Sequence, residues 1–215
     1  PIWTVFKYWI NNAKAADDPS TLTRLGVDET STKKGHHYIT LGVGLDEARV
    51  IHVTEGKGMA TLQSIQQHLE NKGVDKDQIQ EISIDLSPAF IAGAAESFPT
   101  AQMTFDRFHV VKLLNEAMNK VRIAERKEHD ELKGHKYTFL KNRKNLSETK
   151  VKALDEMIVL YPTLGEAYRL KVLFNDLWEM PNKTAAEAFL RQWCDEVDTA
   201  KIPAFMKFAN TVRAH

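Results

Sequence analysis

Every stretch that reads as β-strand in this sequence lies before Asp106, and none follows it. That division limits the chain to a sheet-bearing part followed by an all-helical part. Three strand candidates open the first part, at Thr23–Asp28, His37–Val43 and Arg49–Thr54, and the turn-like "GLDEA" makes the last two an antiparallel hairpin. In "MATLQSIQQHLENKG", Met59, Leu62, Ile65 and Leu69 share one helical face, with Gly73 as a C-terminal cap. Ile82–Asp85 reads as a short buried strand, after which Ser87 and Pro88 suit the start of a helix. "TAQMTF" is one more strand, ending on Asp106. Beyond it, Val110, Leu114, Ala117, Val121 and Ala124 recur at steps of four and three, which predicts a helix of several turns. Further helices are expected near 148–160, 164–178, 183–197 and 202–213, punctuated by Pro162, Pro181 and Pro203. Ahead of the sheet, Trp3, Phe6 and Ile10 predict a short amphipathic lead-in helix, and "NNAKAADDPS" a linker.

Composition narrows the class. With 43% apolar and 27% charged residues the chain suits a globular protein, and no apolar run reaches the roughly 18 residues needed to cross a bilayer. Residues 1–20 lack the basic start and apolar stretch of a signal peptide, and a first residue of Pro1 leads us to expect a fragment or processed product. A single cysteine, Cys194, excludes an internal disulfide and fits a reducing compartment. The formal net charge is zero but unevenly spread: residues 1–106 carry −5, 107–152 carry +7 and 153–215 carry −2. An acidic part beside a basic part suggests a polyanionic partner that also meets a metal, although a solvated helical surface would look the same. The stretch "RKEHDELKGHKYTFLKNRKN" interleaves basic residues with Tyr137 and Phe139, as phosphate contacts with some stacking require. The residues expected to meet nucleic acid are Lys112, Lys120, Arg122, Lys141, Arg143 and Lys144.

Two acids at strand ends carry the chemistry. Asp28 and Asp85 each close a predicted core strand, and on neighbouring strands their carboxylates would converge at one edge. Close carboxylates repel unless a proton or cation lies between them, and hard oxygen ligands suit Mg²⁺ or Mn²⁺. Such ions activate a nucleophile and stabilise a leaving oxygen in phosphodiester cleavage. Either Asp alone would more simply cap a turn. Other features are plainer. "EGKG" lacks the Lys-Ser/Thr of a phosphate loop and reads as a strand-to-helix turn, while His36 and His37 would face opposite ways on a strand. Cys194 and the scattered histidines give no zinc spacing, and Trp178, Phe189 and Trp193 read as helix-packing residues.

The order of elements resembles the ribonuclease H-like fold, a mixed sheet with an antiparallel three-strand start, then parallel strands, here followed by an all-helical insertion. More closely, "LGVDETSTKKGHHYITLGVGLD" and "ISIDLSPAFIAGAAESFPTAQMTFDRFHVVKLLNEAMNKVR" are similar to the two acid-bearing segments of DDE transposases of the ISL-three insertion-sequence family. The resemblance spans roughly residues 22–215 and implies a lead-in at 1–21, a catalytic core at 22–128 and a helical insertion at 129–215. It implies that Asp28 and Asp85 are the first two acids of the catalytic triad and hold Mg²⁺ or Mn²⁺. "FDRFH" matches an Asp/Cys-x-x-His pattern of related transposases, which implies that Asp106 orients His109 toward a scissile phosphate or flanking base. The partners implied are DNA, as transposon ends and target, and a second copy of the chain on DNA, with no membrane, in the bacterial cytoplasm near the nucleoid. One departure stands out: no segment rich in Asn, Gly and Lys/Arg follows the insertion, so the third acid is expected beyond His215 and the fragment is expected to be inactive. The amino-terminal zinc-binding and helix-turn-helix regions of the family are also missing from the sequence. Two other readings remain open here: a ribonuclease H-like nuclease or resolvase that only hydrolyses, and an inactive DNA-binding remnant, against which intact Asp28 and Asp85 argue.

Overall fold

A computed structural model of the chain describes residues 2–35 and 37–214. The expectation for His36 falls outside the described residues. The elements are α1 (Ile2–Ala16), β1 (Arg24–Ser31), β2 (Tyr38–Gly44), β3 (Arg49–Glu55), α2 (Met59–Asn71), β4 (Glu81–Ile84), α3 (Pro88–Ser97), β5 (Gln102–Phe105) and α4 (Arg107–Glu125). Only helices follow: α5 (Lys136–Leu140), α6 (Glu148–Leu160), α7 (Pro162–Phe174), α8 (Lys183–Ala200) and α9 (Pro203–Arg213), besides short 3₁₀ turns. The chain divides into two compact units, residues 1–110 and 111–215.

In the first unit five strands lie in the order β3-β2-β1-β4-β5. β1, β2 and β3 pair antiparallel, while β4 joins β1, and β5 joins β4, in parallel. This is the ribonuclease H-like arrangement: a mixed sheet with an antiparallel start. One face is apolar. Leu25 and Val27 of β1 and Ile82 and Ile84 of β4 are buried together with Leu62, Ile65 and Leu69 of α2 and Phe90, Ala94 and Phe98 around α3. Strand side chains alternate between faces. Arg24, Gly26 and Asp28 therefore share the opposite face, where Arg24 Nε donates to Glu81 Oε2 at 2.9 Å across the sheet. Gly26 is small for a reason, since a Cβ there would lie 2.7 Å from the Leu45 side chain. Burial pushes His52 of β3 and His68 of α2 below the ordinary imidazole pKa, and the two rings stack at 4.5 Å.

Two of the boundaries that differ from those expected have a plain physical cause. β1 does not stop at Asp28 but runs to Ser31, because its β2-side edge stays paired from Leu25↔Gly44 to Ser31↔Tyr38. The linker expected from Asn11 begins later, because α1 continues to Ala16. There the Lys72 ammonium donates to the carbonyls of Lys14 (3.0 Å), Ala15 (3.0 Å) and Asp17 (2.8 Å), closing the helix where its dipole favours a cation.

The second unit has its own core. The rings of Phe174, Trp193 and Phe208 meet edge to face at 4.8, 5.2 and 5.7 Å, and the indole of Trp193 donates to Leu170 O at 2.9 Å. Trp193 is thus a packing residue, as its place in a helix suggested. Lys171 is also buried here, its ammonium donating to the carbonyls of Phe139 and Leu140 at 2.9 Å and of Lys141 at 3.3 Å. No described helix is long and apolar enough to cross a membrane.

Candidate active site

The site is built by the parallel half of the sheet. Pairing of β1 with β4 runs from Arg24↔Glu81 to Gly26↔Ser83. Carried two residues further, the register sets Asp28 level with Asp85. Pairing of β4 with β5 ends at Ile84↔Phe105, and the next residues are Asp85 and Asp106. The ladder reaches that level, since Asp106 N donates to Ile84 O at 2.9 Å. Asp85 and Asp106 thus follow directly on the ends of the neighbouring parallel strands β4 and β5, and Asp28, inside β1, falls level with them on the register carried forward, with adjacent strands roughly 4.8 Å apart. Open α/β sheets place ligand sites at such ends.

Each carboxylate is held locally. Asp28 Oδ1 accepts the Glu29 N–H at 2.8 Å, Asp85 Oδ1 the Ser87 N–H at 2.8 Å, and Asp106 Oδ1 the Phe108 N–H at 2.7 Å. The last two are turn and helix-start contacts, of the kind short acids make where a strand hands over to a helix. Asp28 is different. It sits inside β1, where the β2 edge is paired but the ladder to β4 has already ended, and its side chain is 60% exposed.

His109 approaches Asp28. Its Nε2 lies 3.6 Å from Asp28 Oδ1, too long for a good hydrogen bond but within reach of ionic attraction when the ring is protonated. Asp106 touches His109 only through the backbone, His109 N donating to Asp106 O at 3.0 Å. Among the described contacts the imidazole's acidic neighbour is Asp28, while one oxygen of the Asp106 carboxylate accepts from the start of α4. Beside His109 the ring of Phe108 is 68% exposed, at 5.4 Å from the imidazole and nearly perpendicular to it.

The donor set at Asp28 and Asp85 consists of hard carboxylate oxygens, which fits Mg²⁺ or Mn²⁺. Among the described residues, no group of three or more His, Cys, Asp or Glu side chains stands ready to hold a metal.

The basic residues marked in the sequence divide into two sorts. In the second unit Lys112, Lys120, Lys141 and Lys144 are exposed, and Arg143 is exposed but in a two-point ion pair with Asp155. Arg122 is buried, with 5% of its surface exposed, and its guanidinium donates to Asn119 Oδ1 at 2.9 and 3.1 Å. It follows Val121 on the inward side of α4, so it does not present a phosphate contact. Missed in the sequence was a second basic cluster near the β1–β2 turn, Lys33, Lys34 and His37, which comes close to Lys57 only through the fold.

Residues 25–215 match the model of the ISL3 family, described as transposase. The chain belongs to the ISL3 family of DDE transposases. It is 27% identical over 240 residues to the transposase for insertion sequence element IS1557 of Mycobacterium tuberculosis, covering 98% of this chain and 53% of that protein. It is 25% identical over 206 residues to the transposase for insertion sequence element IS1001 of Bordetella parapertussis, covering 92% of this chain and 50% of that protein. The ISL3 chain thus spans about half the length of the curated relatives it matches.

Proposed function

We propose that residues 22–128 act as the catalytic core of a transposase that cleaves DNA strands and joins the freed 3′ ends to target DNA, with 129–215 as a helical insertion. What supports the reading is the parallel pairing of β1 with β4 and of β4 with β5, whose registers, carried forward, bring Asp28, Asp85 and Asp106 to one level of the sheet. Asp28 and Asp85 would hold Mg²⁺ or Mn²⁺, which when bound supplies Lewis-acid activation of water and neutralises phosphate charge.

The chain's own residues do the rest. Asp85, fixed through the Ser87 N–H, supplies a rigid oxygen at the strand end. Asp28, more exposed, turns toward the incoming phosphate. His109, at 3.6 Å from Asp28, is placed to hydrogen-bond a phosphate oxygen beside it. Asp106 keeps the start of α4, and so His109, in place. DNA is the partner, and transposition calls for two copies of the chain on paired ends.

Manganese titration followed by electron paramagnetic resonance tests the site. Asp28→Asn and Asp85→Asn should each weaken Mn²⁺ binding, and Asp106→Asn should leave it largely intact. If Asp28→Asn and Asp85→Asn bind Mn²⁺ as the unsubstituted chain does, the assignment is wrong. With Asp28 and Asp85 as the metal ligands and Asp106 committed to the start of α4, the 215-residue chain should nick DNA slowly; losing one element of a preorganised site commonly costs about 10²–10³ in rate. Metal-dependent nicking at full rate, lost in Asp106→Asn, would instead make Asp106 the third ligand. Joined products with a precut end separate transposition from plain hydrolysis.

A further inference from the structure

We propose that the β1–β2 turn and the β3–α2 turn together form a second DNA-binding site, which grips the backbone of the strand flanking the carboxylates. The proposal rests on the transposase reading above. The two turns enclose a groove of about 590 Å³ lined by Thr32, Lys33, His37, Tyr38, Glu55 and Lys57 among others. They meet because Ile39 at the start of β2 pairs with Glu55 at the end of β3.

The groove is held in shape by the backbone. Gly56 takes a φ of +106°, its N–H donates to Tyr38 O at 2.8 Å, and its carbonyl accepts from Thr40 Oγ1 at 2.9 Å. The next residue, Lys57, is thereby presented over the Tyr38 ring, with its ammonium 3.9 Å from the ring centroid. An aromatic face holds a cation without neutralising it.

Charge identifies the occupant. Elsewhere in this unit Arg24 pairs with Asp46 and Glu81, and Arg49 with Asp17 and Glu47. Among the described residues, exposed Lys33 and Lys57 have no ion-pair partner, and Lys34 and His37 add to the same end. Glu55 is the one acid in the lining. Unmatched cations at fixed positions call for an anion with repeated charges. Position selects DNA. Thr32 directly follows the end of β1, four residues beyond Asp28, at most about 13 Å away at roughly 3.3 Å per residue. That is about four base-pair steps of 3.4 Å, so a strand whose phosphate lies at Asp28 would pass the groove.

The test is the salt dependence of binding to a short duplex of arbitrary sequence by the 215-residue chain. Each phosphate contact contributes about 0.9 to the slope of log K against log salt, so Lys33→Ala/Lys57→Ala should lower it by about 1.8. Tyr38→Phe should keep the slope and Tyr38→Leu should reduce it, because only the former keeps the ring face under Lys57. Lys76→Ala, at the far end of β4, should change nothing. An unchanged slope in the double variant, or an equal fall in Lys76→Ala, overturns the groove while leaving the manganese result at Asp28 and Asp85 untouched. No binding by the unsubstituted chain overturns the groove, and a normal manganese result would still separate it from the catalytic reading.

Discussion

Lys171 shows how a single residue can be costly and necessary together. Burial pushes its ammonium down to about 8 from an ordinary value of 10.5. The three carbonyls it serves, on Phe139, Leu140 and Lys141, end α5 and have no other described donor to replace it. Between about pH 8 and 10.5 the unfolded chain holds a proton that the folded one has lost, so stability rises with pH across that window, by up to about 3 kcal/mol. Below pH 8 that contribution is absent. Lys171→Met should flatten the rise and, by leaving buried carbonyls without a donor, lower stability at pH 7 by about 1–3 kcal/mol. Urea unfolding of both proteins at several pH values checks this; a parallel pH profile in the variant sinks it. Nothing in the sequence around "YRLKVLF" marks this lysine, because its partners lie some thirty residues earlier. The strands that carry Asp28 and lead to Asp85 were legible for the opposite reason: each holds its own short apolar run, so a local pattern gives the strand. The burial of Arg122 was not legible, because a composition count cannot tell which side of α4 it takes.

At the scale of elements, the strands before Asp106 were legible because alternation and turn residues are local. The ends of β1 and α1 were not, since they depend on β2 pairing and on Lys72, both distant in sequence. The helical half shows a tighter constraint. Tyr161 alone joins α6 to α7, so the chain must reverse within one residue. Gly165, one turn into α7, makes room for this. A Cβ there would lie 3.2 Å from the Ile158 carbonyl carbon and closer still to its oxygen. Because the obstacle is backbone, it cannot swing aside as a side chain would. Gly165→Ala gains helix propensity but must part the two helices, and overpacking of this kind costs about 1–3 kcal/mol. Thermal unfolding should show a lower midpoint. A midpoint equal to or above that of the unsubstituted chain would mean that α6 and α7 separate freely.

Across the whole molecule, charge divides the labour. A net −5 over residues 1–106 would repel DNA, and on the proposed function the carboxylates at the sheet end would use that surplus to bind a cation. On the proposed function the +7 over residues 107–152 would supply the opposing attraction, and counterion release makes such attraction steeply salt-dependent. The structure sorts which of these charges count. Lys141 and Lys144 are exposed. Arg143 already spends its guanidinium on Asp155, with Nη2 at 2.7 Å from Oδ2, and must break that pair to meet a phosphate. Arg122 is buried. We therefore expect Lys141→Ala/Lys144→Ala to lower the salt slope of duplex binding by about 1.8, at about 0.9 per contact. Arg143→Ala should lower it by less than one contact, and Arg122→Ala should leave it unchanged while reducing stability. Loss of affinity should be alike for all DNA sequences, because phosphate contacts carry no base information. If Arg122→Ala flattens the slope as much as the lysine pair does, α4 must turn its buried side outward on DNA, and the described burial would not be the DNA-bound state.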